Sequence, residues 1–401
     1  MKKITFFVEG FPVLSETFVL NQVASMVESG FDVKIIANVP MKSGLKHPWV
    51  SKHDLISKTE TVFGGVSKLS KIYSVIIAMI LDIFLFNWRR LGWLRKVSVK
   101  DYMLARSFEN ISGPVICHFG PVGARLARLK YLKVVRDVKI LTVFHGYDIS
   151  VKKELEKEKN NYETLFAVGD LMLPISKYWA KRLMTMGCAE NKIHVHHMGV
   201  DVRDFNFKYR SEISNTISLI CVCRFVEKKG IFVLLNALAK LPNKYQLTLV
   251  GDGPLKNEIV NLVDKLGIRG RVNLTGPLAS GDVSKKLLLA DAFVLPSVTA
   301  ANGDMEGIPV VLMEAMASGL LTFSTNHSGI SELISNKKTG FLVEEYNPNE
   351  LSESLRYAFE KLDYEHRKVI VKKAREKIEN DFNLLKLNGD LTSLLHRHFQ
   401  G

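Results

Sequence analysis

Short runs of aliphatic and β-branched residues alternate with helical segments along the whole chain, and that alternation limits the fold more than any other feature. KITFFVEG reads as a strand and FPVLSETF as a turn, and apolar residues at helical spacing follow at Phe18, Val19, Val23, Met26 and Val27, up to Gly30. Ser15 is the expected N-cap, with Glu16 in the first turn, where a carboxylate meets the positive end of the helix dipole. FDVKIIANV is the next strand. The result is a βαβ unit, and such units build parallel sheets covered by helices.

Further strands are expected within 114–120 (PVICHFG), 139–146 (KILTVFHG) and 167–176 (AVGDLMLPIS), followed by a helix, KYWAKRLMTMG, that ends at Gly187. Beyond Asp201 the stretch VRDFNFKYRSEISN is polar and irregular and reads as a linker. A second series then opens with TISLICVCRF, continuously apolar as a strand covered on both faces must be. Helix GIFVLLNALAKL, strand YQLTLVGDG, helix LKNEIVNLVDKLG, strand RVNLTGPL, helix SKKLLLA and strands DAFVLPS, LTFST and GFLV follow. The expected fold class is α/β, with two Rossmann-like parallel-sheet domains over residues 1–200 and 201–380 facing a deep cleft. Ligands of such sheets bind beyond the carboxyl ends of the strands.

A chain of 401 residues, 47% hydrophobic, is long enough for two packed domains. Cys117, Cys188, Cys221 and Cys223 form no CxxC pair and read as small core residues of a reducing compartment. MKKITFFVEGFP has too short an apolar run for a secretory signal, so the protein is expected in the cytosol. The net charge of +14 is uneven: residues 1–200 carry 29 Lys and Arg against 17 Asp and Glu, residues 201–401 carry 26 against 24. A basic half suits a polyanionic partner, nucleic acid or an acidic membrane surface. The chain contains no RNA-recognition motif, helix-turn-helix or zinc-finger pattern. The segment Lys71–Lys96, KIYSVIIAMILDIFLFNWRRLGWLRK, is too short and too interrupted by Asp82 to span a bilayer. It fits a helix lying at a membrane interface with Arg89, Arg90, Arg95 and Lys96 on the headgroups, or a core helix with a basic exit.

The stretch EGIPVVLMEAMASG, Glu306–Gly319, puts two carboxylates eight positions apart among apolar residues, where an unpaired charge is costly. Pro309 is expected in the first turn of a helix closed by Gly319. The amides around Gly307, Ile308 and Val310, with the positive end of the dipole, suit a phosphate, and Gly307 would let a ligand approach the backbone. Carboxylates beside a phosphate site need hydrogen-bond donors, and sugar diols supply them. Glu314 suits a ribose and Glu306 a sugar on the far phosphate. In CRFVEKKG, Arg224 and Lys229 stand at a strand's carboxyl end and could clamp a diphosphate, while Lys228 reads as a solubilising surface lysine.

With these residues in view, the sequence resembles the retaining glycosyltransferases of family 4, which have the GT-B fold. The segments CRFVEKKG, LTLVGDGPLKNEI, VNLTGPL, ADAFVLPS, EGIPVVLMEAMASG, HSGISELI and TGFLV occur in that family's order. The N-terminal half resembles the bacterial exopolysaccharide or colanic-acid branch through FPVLSETFVLNQV, CHFGPVG and FHGYDIS. The resemblance implies an acceptor-binding N-terminal domain, a C-terminal domain that binds a UDP- or GDP-linked sugar, and a helix within 381–401 that crosses back to the first domain. It implies that Arg224 and Lys229 grip the donor diphosphate, that Glu314 binds ribose, and that Glu306, Gly307 and Ile308 meet phosphates and donor sugar. His145 would lie by the donor sugar, and Glu16 and Asp148 would line the acceptor side. Transfer would retain the anomeric configuration with no metal and no cofactor, there being no Asp-x-Asp. The acceptor would be a polyprenyl-diphosphate-linked oligosaccharide at the inner face of the cell membrane, with no nucleic-acid partner. A GT-B epimerase or phosphorylase, or a basic binding protein without catalysis, are the alternative readings. GDGPLK and FGPVG do not match the GxGxxG opening of a nicotinamide dehydrogenase.

Overall fold

The computed structural model describes residues 2–13, 16–39, 48–62, 73, 76, 98–209 and 215–399. Two six-stranded sheets organise the chain. In the first, β1 (Lys3–Gly10), β2 (Asp32–Val39), β3 (Thr59–Thr61), β4 (Pro114–His118), β5 (Lys139–Phe144) and β6 (Leu171–Pro174) lie in the order β3-β2-β1-β4-β5-β6. The second takes β7 (Ile217–Val222), β8 (Tyr245–Val250), β9 (Val272–Gly276), β10 (Ala292–Leu295), β11 (Leu321–Thr325) and β12 (Phe341–Val343), in the order β12-β11-β10-β7-β8-β9. Every pairing between these strands is parallel. The strand order reverses between β1 and β4 and again between β7 and β10. These are the positions where adjacent crossovers leave on opposite faces and a crevice opens beyond the strand ends.

Each sheet has its own core. Phe6, Phe7, Ile116 and Leu141 are fully buried in the first, and Leu219, Leu247, Phe293 and Phe323 are buried in the second. Phe323 stacks on Phe341 with ring centroids 4.7 Å apart. The helix Leu384–Phe399 follows the second sheet in sequence, yet buries Leu391, Leu394 and Leu395 in the core of the first. Its start is pinned by Val200, whose amide donates to the Phe382 carbonyl and whose carbonyl accepts from Leu384.

Three details differ from the local reading. The helix Lys152–Val168 occupies KKELEKEKNNYETLFAV, so β6 begins only at Leu171 and residues 167–168 are helical. Its charged surface leaves a narrow buried face (Glu158, Tyr162, Leu165, Phe166), too few apolar positions to announce a helix. Pro309 is the N-cap of the helix Val310–Ser318, with ψ of 120°, not its first helical residue. The helix Thr17–Glu28 has Glu16 at its N-cap with no side-chain capping bond, while Ser15 lies outside the described residues. Lys71–Lys96 also lies outside them, apart from Tyr73 and Ile76, both exposed. No helix among the described residues is long and apolar enough to cross a membrane.

Candidate active site

The ends of β4, β5, β7 and β10 converge where the two halves meet. Val222 ends β7, and the chain passes through Cys223 to Arg224, whose side chain is exposed and makes no ion pair among the described residues. Gly230, at φ 64°, then turns the chain into the helix Ile231–Ala239. A Cβ there would stand 1.8 Å from the Pro296 carbonyl oxygen, so only glycine lets this turn press against the end of β10. That packing carries Lys229 to Glu306.

Lys229 Nζ lies 2.8 Å from Glu306 Oε1, and Glu306 is only 7% exposed. Burial works to raise the Glu306 pKa, but the charges of Lys229 and Lys228 outweigh it and hold the carboxyl below its ordinary value. Lys229 is affected in reverse: burial lowers its pKa, and the Glu306 charge more than restores it. Both therefore stay ionised at neutral pH. Lys228 departs from its expected role. Its ammonium donates to Asp304 Oδ1 at 3.0 Å and lies 3.9 Å from Glu306, so it braces the 298–309 loop instead of facing solvent.

The amides of Gly307, Ile308 and Val310 donate to no group among the described residues. Gly307 also has a packing role. A Cβ at this position would meet Ile175 Cδ1 at 2.3 Å and the His145 carbonyl oxygen at 2.9 Å, both from the N-terminal half. The glycine therefore permits close approach of the two halves, and His145 is brought to the 298–309 loop through that contact. Glu314, in the second turn of the helix Val310–Ser318, has no cation beside it among the described residues, and burial pushes its pKa up to about 7.

His145 follows β5, its ring 4.5 Å from that of Phe18 and 4.6 Å from that of Phe119. Its Nε2 is 3.1 Å from Nδ1 of His118, a fully buried residue at the end of β4. Burial first, then the neighbouring His118 and His196, push the His145 pKa well below its ordinary value, and His118 is lowered to about 3. The two rings are neutral and share one proton across that contact. Asp148 stands elsewhere than the acceptor-side position expected of it. It is 1% exposed, and its carboxylate accepts from the amides of Gly120, His145 and Gly146 at 2.8–3.0 Å. It fixes the backbone of the β4 and β5 turns and so holds His145 in place. Glu16 is partly exposed near Glu9, and its pKa is raised by burial and then by the Glu9 charge.

Several contributors were not singled out from sequence. His118 was present only within CHFGPVG. Glu332, in HSGISELI, receives hydrogen bonds at 3.0 Å from the amides of Lys177 and Tyr178 and from His197 Nε2, which clamps the second half to a helix start in the first. The signal for either was a polar residue in apolar surroundings: His118 closes β4, and Glu332 sits in the short helix Ile330–Leu333. Its partner could not be read locally.

The family described as glycosyl transferases group 1 matches residues 202–377. WcaL of Escherichia coli K12, a glycosyltransferase assigned to colanic acid biosynthesis, is 38% identical over 404 residues, covering 98% of this chain and 99% of its own. The amylovoran biosynthesis glycosyltransferase AmsK of Erwinia amylovora is 36% identical over 408 residues, with the same coverage. The crystal structure of Anabaena HepE in complex with UDP superposes with a TM-score of 0.74 at 17% identity, over 99% of this chain and 100% of that one. Glycosyltransferases of polysaccharide biosynthesis thus align along almost the entire chain, and the double parallel-sheet fold agrees with them. The chain belongs to the group 1 glycosyltransferases and has the GT-B fold.

Proposed function

We propose that this glycosyltransferase moves a sugar from a UDP- or GDP-linked donor to a growing bacterial surface polysaccharide carried on a polyprenyl diphosphate, retaining the anomeric configuration as family 4 enzymes do. One observation carries the donor-site part of the reading. At the mouth of the crevice, a buried Lys229–Glu306 pair stands beside amides at a helix start that, among the described residues, have no partner, and Glu314 there has no cation beside it. An incoming diphosphate supplies an anion for Lys229, Arg224 and those amides, which leaves Glu306 to accept from hydroxyls of the donor sugar. Ribose hydroxyls supply donors to Glu314. That contact lowers the cost of the ionised carboxylate, because hydrogen bonds to a charged form favour it.

In this scheme the acceptor hydroxyl approaches the anomeric carbon on the face from which the nucleotide departs. The bond from that carbon to the phosphate oxygen breaks, the bond to the acceptor oxygen forms, and the hydroxyl proton passes to the departing phosphate. The negative charge growing on the nucleotide is met by Arg224, Lys229 and the helix amides, which need not move to meet it. Neutral His145, oriented by His118 and Asp148, presents its ring and backbone to the sugar and carries no positive charge that would oppose an oxocarbenium-like state. No metal is invoked. The basic N-terminal half suits a lipid-linked acceptor at an anionic membrane surface, and the E. coli and Erwinia relatives supply the polysaccharide context.

A thermal-shift screen of UDP- and GDP-sugars identifies the donor. Acceptor-dependent nucleotide release, with the anomeric configuration of the product read by NMR, then tests transfer and retention. Nucleotide release independent of any acceptor would point instead to an epimerase-type reaction, and an inverted product would end the front-face scheme.

A further inference from the structure

His327 is wholly buried between the 298–309 loop and Glu345. Its Nε2 lies 3.0 Å from the Glu306 amide nitrogen, and its Nδ1 lies 2.7 Å from Glu345 Oε1. An amide N–H can only donate, so Nε2 is the bare nitrogen, and the ring proton sits on Nδ1 and is given to Glu345. Glu345 also accepts from the Thr299 amide at 2.6 Å. Both ends of the loop are therefore tied to one imidazole–carboxylate pair: Thr299 through Glu345, Glu306 through His327.

The next residue completes the hold. Ser328, at φ 46°, places its hydroxyl 2.8 Å from the Glu306 carbonyl oxygen and 2.9 Å from that of Gly307. In a planar trans peptide the C=O and N–H point in opposite directions. Holding the Glu306 carbonyl therefore sets where the Gly307 N–H points, and holding the Gly307 carbonyl sets the Ile308 N–H. Both of these amides are without a partner among the described residues. The carbonyls, which would repel a phosphate, are engaged from behind.

We propose that His327 and Ser328 are positioning residues of the donor site. They orient the Gly307 and Ile308 amides toward the donor diphosphate, with His327 acting as its Nδ1–H tautomer. The inference rests on the nucleotide-sugar reading above and adds the residues that preorganise its anion-binding turn.

The two nitrogens of His327 can be tested separately. His327→Gln can place an acceptor near the Nε2 position and keep the Glu306 amide bonded. His327→Asn retains a donor toward Glu345 but leaves that amide unpaired. UDP and GDP are titrated onto the full chain, wild type and variants, below the melting temperature of each. His327→Gln should bind within about threefold of wild type, whereas His327→Asn and Ser328→Ala should each bind about tenfold more weakly, the order of one buried hydrogen bond. Ser328→Ala removes a single hydroxyl and carries the test should His327→Asn not fold. A reversed order of the two His327 variants, or variants indistinguishable from a wild type that binds, overturns this assignment alone. A wild type that binds neither nucleotide overturns the donor-site reading together with it.

Discussion

Replacing Lys229 by Met removes one charge of a buried pair, and stability and transfer should respond differently. Breaking such a pair from one side costs about 3–5 kcal/mol, because the surviving charge stays buried without its partner. The side chains of Lys229 and Glu306 are 16% and 9% exposed, so solvent screens the survivor little. Lys228 Nζ, however, lies 3.9 Å from the same carboxylate oxygen and partly replaces Lys229. Lys229→Met should therefore fall below that range, at about 2 kcal/mol, and Glu306→Gln, which strips Lys229 of its only ion pair among the described residues, nearer 3 kcal/mol. At roughly 2–4 °C per kcal/mol for a unit of about 200 residues, the melting shifts are about 4–8 °C and 6–12 °C. The double variant Lys229→Met/Glu306→Gln buries no charge at this position and should regain most of the lost stability. Transfer should not recover. Each single variant and the double should lose about 10²-fold or more in turnover, the scale of one lost transition-state contact. Calorimetric melts and acceptor-dependent nucleotide release measure the two quantities on the same samples. Purely additive melting shifts would refute the energetic coupling of the pair, and a double variant that transfers at near the wild-type rate would refute its role at the donor.

Glu314 holds its proton up to about pH 7 in the folded chain, against an ordinary value near 4.5, so folding takes up a proton between those limits and stability falls as pH rises through them. Glu314→Gln should flatten that slope, melting with wild type at about pH 4.5 and above it at pH 8 in thermal scans, and an unchanged slope would count against burial as the cause. Asp148→Asn puts an amide NH2 among three backbone donors, and should cost about 2–3 kcal/mol in denaturant unfolding, the loss of one or two buried hydrogen bonds. The chain should float with anionic liposomes at low ionic strength and be released as salt screens the basic N-terminal half. Absence of flotation at low salt would argue against a membrane-bound acceptor.

The strands other than β3 were legible because their signals are local, whereas helices such as Gly120–Tyr131, Lys152–Val168 and Tyr364–Asp381 were not read. Continuous apolar runs such as TISLICVCRF and the helical spacing after Thr17 carry their own periodicity, and parallel connectivity follows from strands separated by helices. The helix Lys152–Val168 was missed for the same reason, since its surface is charged and its period shows at only four buried positions. At the site, the residue types suited to a nucleotide sugar stood in order along the chain: Arg224, Lys229, Glu306, Glu314. Their charge states and partners could not be read there.

By itself, then, the sequence determined most of the strands, their assembly into two parallel sheets and the strand ends from which polar residues would project. Tertiary structure alone decided that Lys228 braces a loop, that Gly307 makes room for the other half of the molecule, that Asp148 anchors backbone, and that His327 and Ser328 hold the Glu306–Gly307 turn. The physical reason is one of range. Backbone periodicity is written within a few residues, whereas the ionisation and hydrogen bonding of a side chain depend on what it is buried against. In this chain the Glu306 amide finds its acceptor 21 positions away, and Glu332 reaches its partners 154 and 155 positions away.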